Sequence, residues 1–238
     1  MNVLAIDTSL LSGAAIGAVF DDGQRAERTL AGDRCQESRL LSAVDELLSS
    51  LGKVIGGIDL FCVAAGPGSF TGLRIGIGTV KGLAFALGKP VAAVPSLEAL
   101  AATAFAQDGD LETLVVPMID ARMGRVFAAV FRAGERIFPD ADMEPAELVN
   151  ILAGRSEKRI LFAGNGLNCY LTSFSGEVFP GKIVAYKPEA TISGLALADA
   201  GIAMAAKGQA VSAEELDAVY LRKSEAESRL EEKNPRRE

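Results

Sequence analysis

The run Gly66-Pro67-Gly68-Ser69-Phe70-Thr71-Gly72-Leu73-Arg74-Ile75-Gly76-Ile77-Gly78 constrains this chain more than any other stretch. Leu60 to Ala65 before it is an apolar strand pattern that enters a Gly-Pro-Gly turn. Ser69 then stands where its hydroxyl can accept a free N–H of a first helical turn. A helix is therefore predicted from there to about Leu87, ended by Gly88 and Pro90. Its surface divides into two apolar faces. Gly72, Gly76, Gly78, Thr79, Gly82 and Ala86 form a small-residue arc, whereas Leu73, Ile77, Val80, Ala84 and Leu87 form a bulky stripe, and only Arg74 and Lys81 are charged. A glycine inside a helix costs about 1 kcal/mol relative to alanine, so this density implies close backbone approach. Two arrangements satisfy the pattern: a core helix squeezed against a sheet, or an interface helix with its glycine side inward and its bulky stripe on another protein. A phosphate cradle at the helix N-terminus is physically allowed, but the lysine and the spacing of a P-loop are missing.

The absence of histidine from all 238 residues removes Ser-His-Asp and Cys-His catalysis and the usual histidine metal sites. An enzyme made of this chain would rely on carboxylates, lysine or a metal held by oxygen alone; no metal site is assigned. A net charge of −7 argues against a broad basic face that grips nucleic acid unaided. Cys35, Cys62 and Cys169 are far apart and form no Cys-x-x-Cys, which fits reduced, mostly buried thiols in a cytoplasmic protein. The start, Met1 to Asp7, lacks a basic region and is interrupted by Asp7, so neither a signal peptide nor an anchor is expected, and no membrane partner.

Taken in order, Val3 to Ile6 is an apolar strand closed by Asp7-Thr8-Ser9, and Ala14 to Phe20 and Gln24 to Leu30 flank an Asp21-Asp22-Gly23 hairpin turn. A helix from Ser38 carries Leu40, Leu41, Val44, Leu47, Leu48 and Leu51 on one face. After the central helix come a strand at Val91 to Val94 and a helix from Leu97 to Phe105. The polar loop Gln107-Asp108-Gly109-Asp110 then marks the expected boundary, because Leu114 to Asp120, a glycine-containing turn and Arg125 to Arg132 begin the first pattern again. This divides the chain into lobes at 1–106 and 107–222, with a charged tail at 223–238 expected to be disordered. The second lobe holds a helix at Pro145 to Leu152, a strand at Ile160 to Ala163, a loop-rich stretch to Pro188 and an alanine-rich helix at Ile192 to Ala206. Tyr220-Leu221-Arg222 fits either the last edge strand of the domain or a clamp on a partner.

Val3-Leu4-Ala5-Ile6-Asp7-Thr8-Ser9, the Ala64 to Gly76 run, Ile119-Asp120-Ala121-Arg122-Met123-Gly124 and Val219-Tyr220-Leu221-Arg222 together resemble the TsaB (YeaZ) family, in the right order and from end to end. The resemblance implies an actin-like, Hsp70-like (ASKHA) duplicated α/β fold of two lobes, with mixed sheets flanked by helices. It implies a non-catalytic partner of the TsaD threonylcarbamoyltransferase, working with the TsaE ATPase and meeting tRNA only through that complex. A homodimer is implied for the isolated chain, with no intrinsic cofactor and ATP or ADP at the partner complex. Carried over residue by residue, the dimer surface comprises Leu40, Leu41 and Val44 of the first helix and Phe70, Leu73, Ile77, Val80 and Lys81 of the central one. Asp7 and Asp120 close the equivalent strands of the two halves. With Thr8 they either form a weak nucleotide site of the kind an actin-like fold builds, or cap their own turns through Asx hydrogen bonds. Gln36-Glu37 stand where many TsaB-like chains carry His-Ser. The alternatives left open are a stand-alone kinase or glycoprotease-like enzyme and an ADP-binding module.

Overall fold

A computed structural model of the chain describes residues 1–10, 12–32, 36–108 and 110–222. The expectations for Cys35 and for the tail at 223–238 lie outside the described residues, as do the side chains of Gln36 and Glu37. Two five-stranded mixed sheets form the frame. The first uses β1 (Val3–Asp7), β2 (Gly13–Val19), β3 (Arg25–Ala31), β4 (Leu60–Gly66) and β5 (Val91–Pro95) in the order β3-β2-β1-β4-β5. The second uses β6 (Thr113–Asp120), β7 (Val126–Arg132), β8 (Glu135–Met143), β9 (Arg159–Ala163) and β10 (Ile183–Lys187) in the order β10-β9-β6-β7-β8. The two orders are the same once read from the same end. In each sheet the opening meander pairs antiparallel, and the two later strands add in parallel beside the strand that ends in aspartate.

The helices make five layers of the two sheets. Helices α1 (Gln36–Ser50) and α2 (Phe70–Leu87) cover the outer face of the first sheet, where Leu4, Ile6, Ile16, Phe61 and Val63 meet Leu40, Leu47, Leu73, Ile77 and Val80 in one apolar cluster. Between the sheets lie α3 (Ser96–Asp108) and α6 (Gly194–Ala206), whose Leu97, Leu100, Leu197 and Ala198 share a core with Ala5 and Cys62 of one sheet and Val115 and Leu161 of the other. The far face of the second sheet is closed by α4 (Pro145–Ala153), α5 (Gly166–Tyr170) and the aromatic group Phe162, Phe174 and Phe179. The chain is thus a duplication, strand-strand-strand-helix-strand-helix-strand-helix, played twice.

The expected division at residue 106 separates the sheets but not the packing. Helix α6, expected in the second lobe, lies on β1, β2, β4 and β5 of the first sheet. Its N-terminus is pressed onto β2 so closely that a Cβ on Gly17 would come within 2.1 Å of the Gly194 carbonyl, and a Cβ on Gly201 within 2.1 Å of the Cys62 sulfur. Beyond it Val211 forms a bridge to Val91, so the C-terminal segment returns to the first sheet. Helix α2 has the length and apolarity of a membrane-crossing helix, yet Leu73, Gly76, Ile77, Val80 and Ala84 are buried against the sheet. Of the cysteines, Cys62 is buried, which pushes its thiol up to about 12, while Cys169 is exposed, contrary to the expectation of burial.

Gly17→Ala should therefore destabilise the chain by about 3 kcal/mol in urea denaturation, since backbone atoms on both sides must separate. Gly23→Ala, at a hairpin position with open space around it but a positive φ, should cost about 1 kcal/mol.

Candidate functional site

The C-terminal ends of β1, β4 and β6 point toward a cleft of about 350 Å³ between the lobes. One wall is Ser9, Leu10 and the Pro67 to Thr71 turn; the other is Ile119 to Arg122, Phe127 and Asn165; and Val219 to Arg222 lie along it. The first wall is built by close packing. Thr8 Oγ1 donates to the Gly72 carbonyl at 2.6 Å, and Ser69 N–H donates to the Ser9 carbonyl at 2.7 Å. A Cβ on Gly68, Gly72 or Gly76 would fall 2.5, 2.0 or 2.3 Å from atoms of Ser9 or Thr8. Ser69 Oγ accepts the Gly72 N–H at 3.3 Å and caps α2 as predicted. The first helical turn is thus filled by the chain's own β1–β2 turn.

The two aspartates make the same local bond. Asp7 Oδ1 accepts the N–H of Ser9 at 2.8 Å, and Asp120 Oδ1 accepts the N–H of Arg122 at 2.8 Å, each an Asx turn two residues long. Their surroundings differ. Asp120 lines the cleft and its own N–H donates to Asn165 Oδ1 at 3.1 Å. Asp7 is 2% exposed and faces a separate cavity of about 10 Å³ lined by Thr29, Thr191 and Ile192. Burial raises its carboxyl from 3.8 to about 6, against the lowering effect of the Ser9 hydrogen bonds. The structure therefore does not bring Asp7, Thr8 and Asp120 into one site: the first is turned away, the second is committed to Gly72, and the third faces the cleft. Of the N–H groups at this turn, those of Ser69, Gly72 and Leu73 are engaged within the chain, by the Ser9 carbonyl, the Ser69 hydroxyl and the Ser69 carbonyl.

Two features of the second wall lay beyond sequence reasoning. Arg122 and Met123 hold φ of 59° and 52°, a left-handed pair of non-glycine residues that costs about 1–2 kcal/mol each, and Met123 stands 83% exposed at the tip. Asp142, on a strand that the sequence reading passed over, accepts both Arg125 and Arg222. The Gly164-Asn165-Gly166 turn was the available signal for Asn165, since it occupies the same place in the second half as Gly66-Pro67-Gly68 in the first.

The bulky stripe of α2 faces inward, the reverse of the interface arrangement. Leu40, Val44, Leu73, Ile77 and Val80 are all buried in the chain's own core. The Lys81 ammonium donates to the Glu214 and Leu216 carbonyls at 3.2 and 3.0 Å, so it pins the C-terminal segment to α2. Leu41 and Phe70 remain outside, at 56% and 37% exposure. With them on the outer layer are Phe85 and the half-buried Ile75 and Leu83, and Gly78 and Gly82, beside which a Cβ would meet none of the described residues within 4 Å. The glycine arc is thus split, Gly72 and Gly76 inward and Gly78 and Gly82 outward.

The family model that matches the chain is described as TsaD, tRNA N6-adenosine threonylcarbamoyltransferase, and covers residues 31–227. The tRNA threonylcarbamoyladenosine biosynthesis protein TsaB of Bacillus subtilis is 34% identical over 169 residues, 69% of this chain and 71% of that protein. The solved structure of YeaZ from Pseudomonas aeruginosa superposes with a TM-score of 0.78 at 31% identity, over 92% of this chain and 99% of that one. The chain belongs to the TsaB (YeaZ) family. The ROK hexokinase of Thermus thermophilus, 12% identical with a TM-score of 0.50 over 87% of this chain and all 100% of that one, shares the fold. The architecture is the duplicated actin-like one implied by the sequence motifs. Each lobe of this chain ends its first strand in an aspartate, and one of the two, Asp7, is buried.

Because the folded carboxyl of Asp7 titrates above its unfolded value, its share of stability is present below pH 4 and is lost as pH rises through about 6, by about 3 kcal/mol in all. Asp7→Asn has no charge to bury. The difference in urea midpoint between variant and wild type should be small at pH 4 and grow in the variant's favour up to pH 7.5. A pH-independent difference would show that Asp7 is not buried as an acid.

Proposed function

We propose that this chain is a non-catalytic scaffold and activator subunit in the formation of tRNA N6-threonylcarbamoyladenosine, acting by docking onto a TsaD threonylcarbamoyltransferase through the outer faces of α1 and α2. The observation that carries this reading is the pair Gly78 and Gly82. Each weakens the helix by about 1 kcal/mol, and unlike Gly72 and Gly76 neither makes room for anything among the described residues. Bare backbone on the surface of a long helix, with Phe85 68% exposed beside it, suits the close approach of a second helix. The same face would pair two copies of the chain when the transferase is absent. In this reading the TsaE ATPase and tRNA join through the complex, in the cytoplasm, and any ATP or ADP belongs to the complex.

The division of labour is supported by chemistry. A histidine-free chain has no neutral-pH imidazole base, and at its α2 N-terminus the Ser69 and Gly72 N–H groups are taken by the Ser9 carbonyl and the Ser69 hydroxyl. Against the glycoprotease reading stands the missing histidine, and against the kinase reading the weak phosphate loops after Asp7 and Asp120.

Docking is tested by light scattering and titration of the chain with TsaD from the same source, together with threonylcarbamoylation of a tRNA transcript. Leu41→Glu, Gly82→Glu and Phe85→Glu should weaken the 1:1 complex at least 100-fold, about 2.7 kcal/mol, and remove activity in proportion. Gly82→Ala should stabilise the free chain by about 0.5–1 kcal/mol while still weakening the complex. Unchanged binding by all four variants would overturn the docking face, whereas activity from the chain alone would overturn the non-catalytic role.

A further inference from the structure

The two walls of the cleft come from different sheets, and at the bottom they are joined by the buried α3–α6 core. At the mouth they are joined by the segment after α6. That segment is fastened on both sides. Toward the first sheet, Val219 N–H donates to the Ala65 carbonyl at 2.7 Å, and the Tyr220 ring lies 5.2 Å from the Phe70 ring, which carries the Arg74 guanidinium on its face at 4.0 Å. Toward the second sheet, Arg222 grips Asp142 through Nε at 2.7 Å and Nη2 at 2.9 Å, and its Nη1 donates to the Ala121 carbonyl at 3.1 Å.

We propose that residues 219–222 are a strap that sets the opening of the cleft, with the Arg222–Asp142 pair as its latch. The arrangement has the properties a latch needs. A guanidinium fork on a carboxylate fixes direction as well as distance, which a single ammonium does not. Both side chains are only partly exposed, at 31% and 15%, so solvent screens them less than a surface pair. Releasing Arg222 leaves no orphaned charge, because Asp142 keeps Arg125, whose Nε lies 2.7 Å from Oδ1 and whose Nη2 donates to the Asp142 carbonyl at 2.8 Å. The latch can therefore open without unfolding β7 and β8. Its other end is tied to the first turn of α2 through Phe70, so widening the cleft pulls on that turn.

Amide hydrogen exchange of the full chain, Arg222→Gln against wild type, tests the strap without any partner. We expect exchange at Val219 and in the 119–124 wall to quicken about tenfold, with α6 and β4 amides and the urea midpoint nearly unchanged. Arg222→Lys should fall between, because it restores the charge without the fork. Faster exchange confined to residues 220–222 would mean an ordinary frayed end and would overturn the proposal. So would an unchanged pattern, or an equal rise in α6 and β4 that marks general loosening.

Discussion

The seating of the β1–β2 turn on the first turns of α2 decides most of what this molecule can be. The Ser9 and Thr8 carbonyls press on Gly68 and Gly72, and the Thr8 side chain presses on Gly76, so closely that none of the three glycines has room for a Cβ. Once those glycines face inward, the helix has no rotational freedom left, and Leu73, Ile77, Val80 and Ala84 are carried into the sheet with them. The same contact engages the Ser69 N–H, which donates to the Ser9 carbonyl.

The duplication makes the asymmetry of the two aspartates informative. Asp7 and Asp120 end equivalent strands and form equivalent Asx turns, so local sequence cannot account for the difference in their burial. The cause is tertiary: the residues leading into α6, Thr191 and Ile192, cover Asp7, because α6 lies on the first sheet although it follows the second in the chain. Glu27 of β3 fixes that position by accepting the Ser193 hydroxyl at 2.6 Å and the Leu195 N–H at 3.2 Å, which places a carboxylate at the N-terminus of α6. The opposite end of the repeat has the cleft instead of a helix, so Asp120 stays accessible to water.

Much of this was legible from residue order. The Ser69 cap, the stop at Gly88, the opening meander and the repeat of Ile-Asp at 6–7 and 119–120 each rest on local chemistry, and each was found where expected. Strand β8 was not, because Asp140 and Asp142 and a register shift against β7 hide its alternation, and β10 was not, because its half-exposed residues follow a loop-rich stretch. Tyr220 to Arg222 do not extend a sheet; the segment crosses the cleft. The orientation of α2 could not be read from its pattern, since both faces are apolar and the hydrophobic signal that normally points inward points both ways. What resolves it is the identity of the partner for each glycine, which is a long-range fact.

That division of the glycines also links the two halves of the functional argument. Gly72 and Gly76 are explained by Thr8, and any chain with this turn would need them or something as small. Gly78 and Gly82 are explained by nothing among the described residues, and the helix would be firmer with alanine at both. Among the described residues a cost of about 2 kcal/mol is therefore left without a compensating contact, on the same surface that exposes Leu41 and Phe85. A second helix against that surface would supply the compensation. The Phe70 ring, shared between Arg74 of this helix and Tyr220 of the strap, then gives the cleft mouth a mechanical connection to whatever docks there.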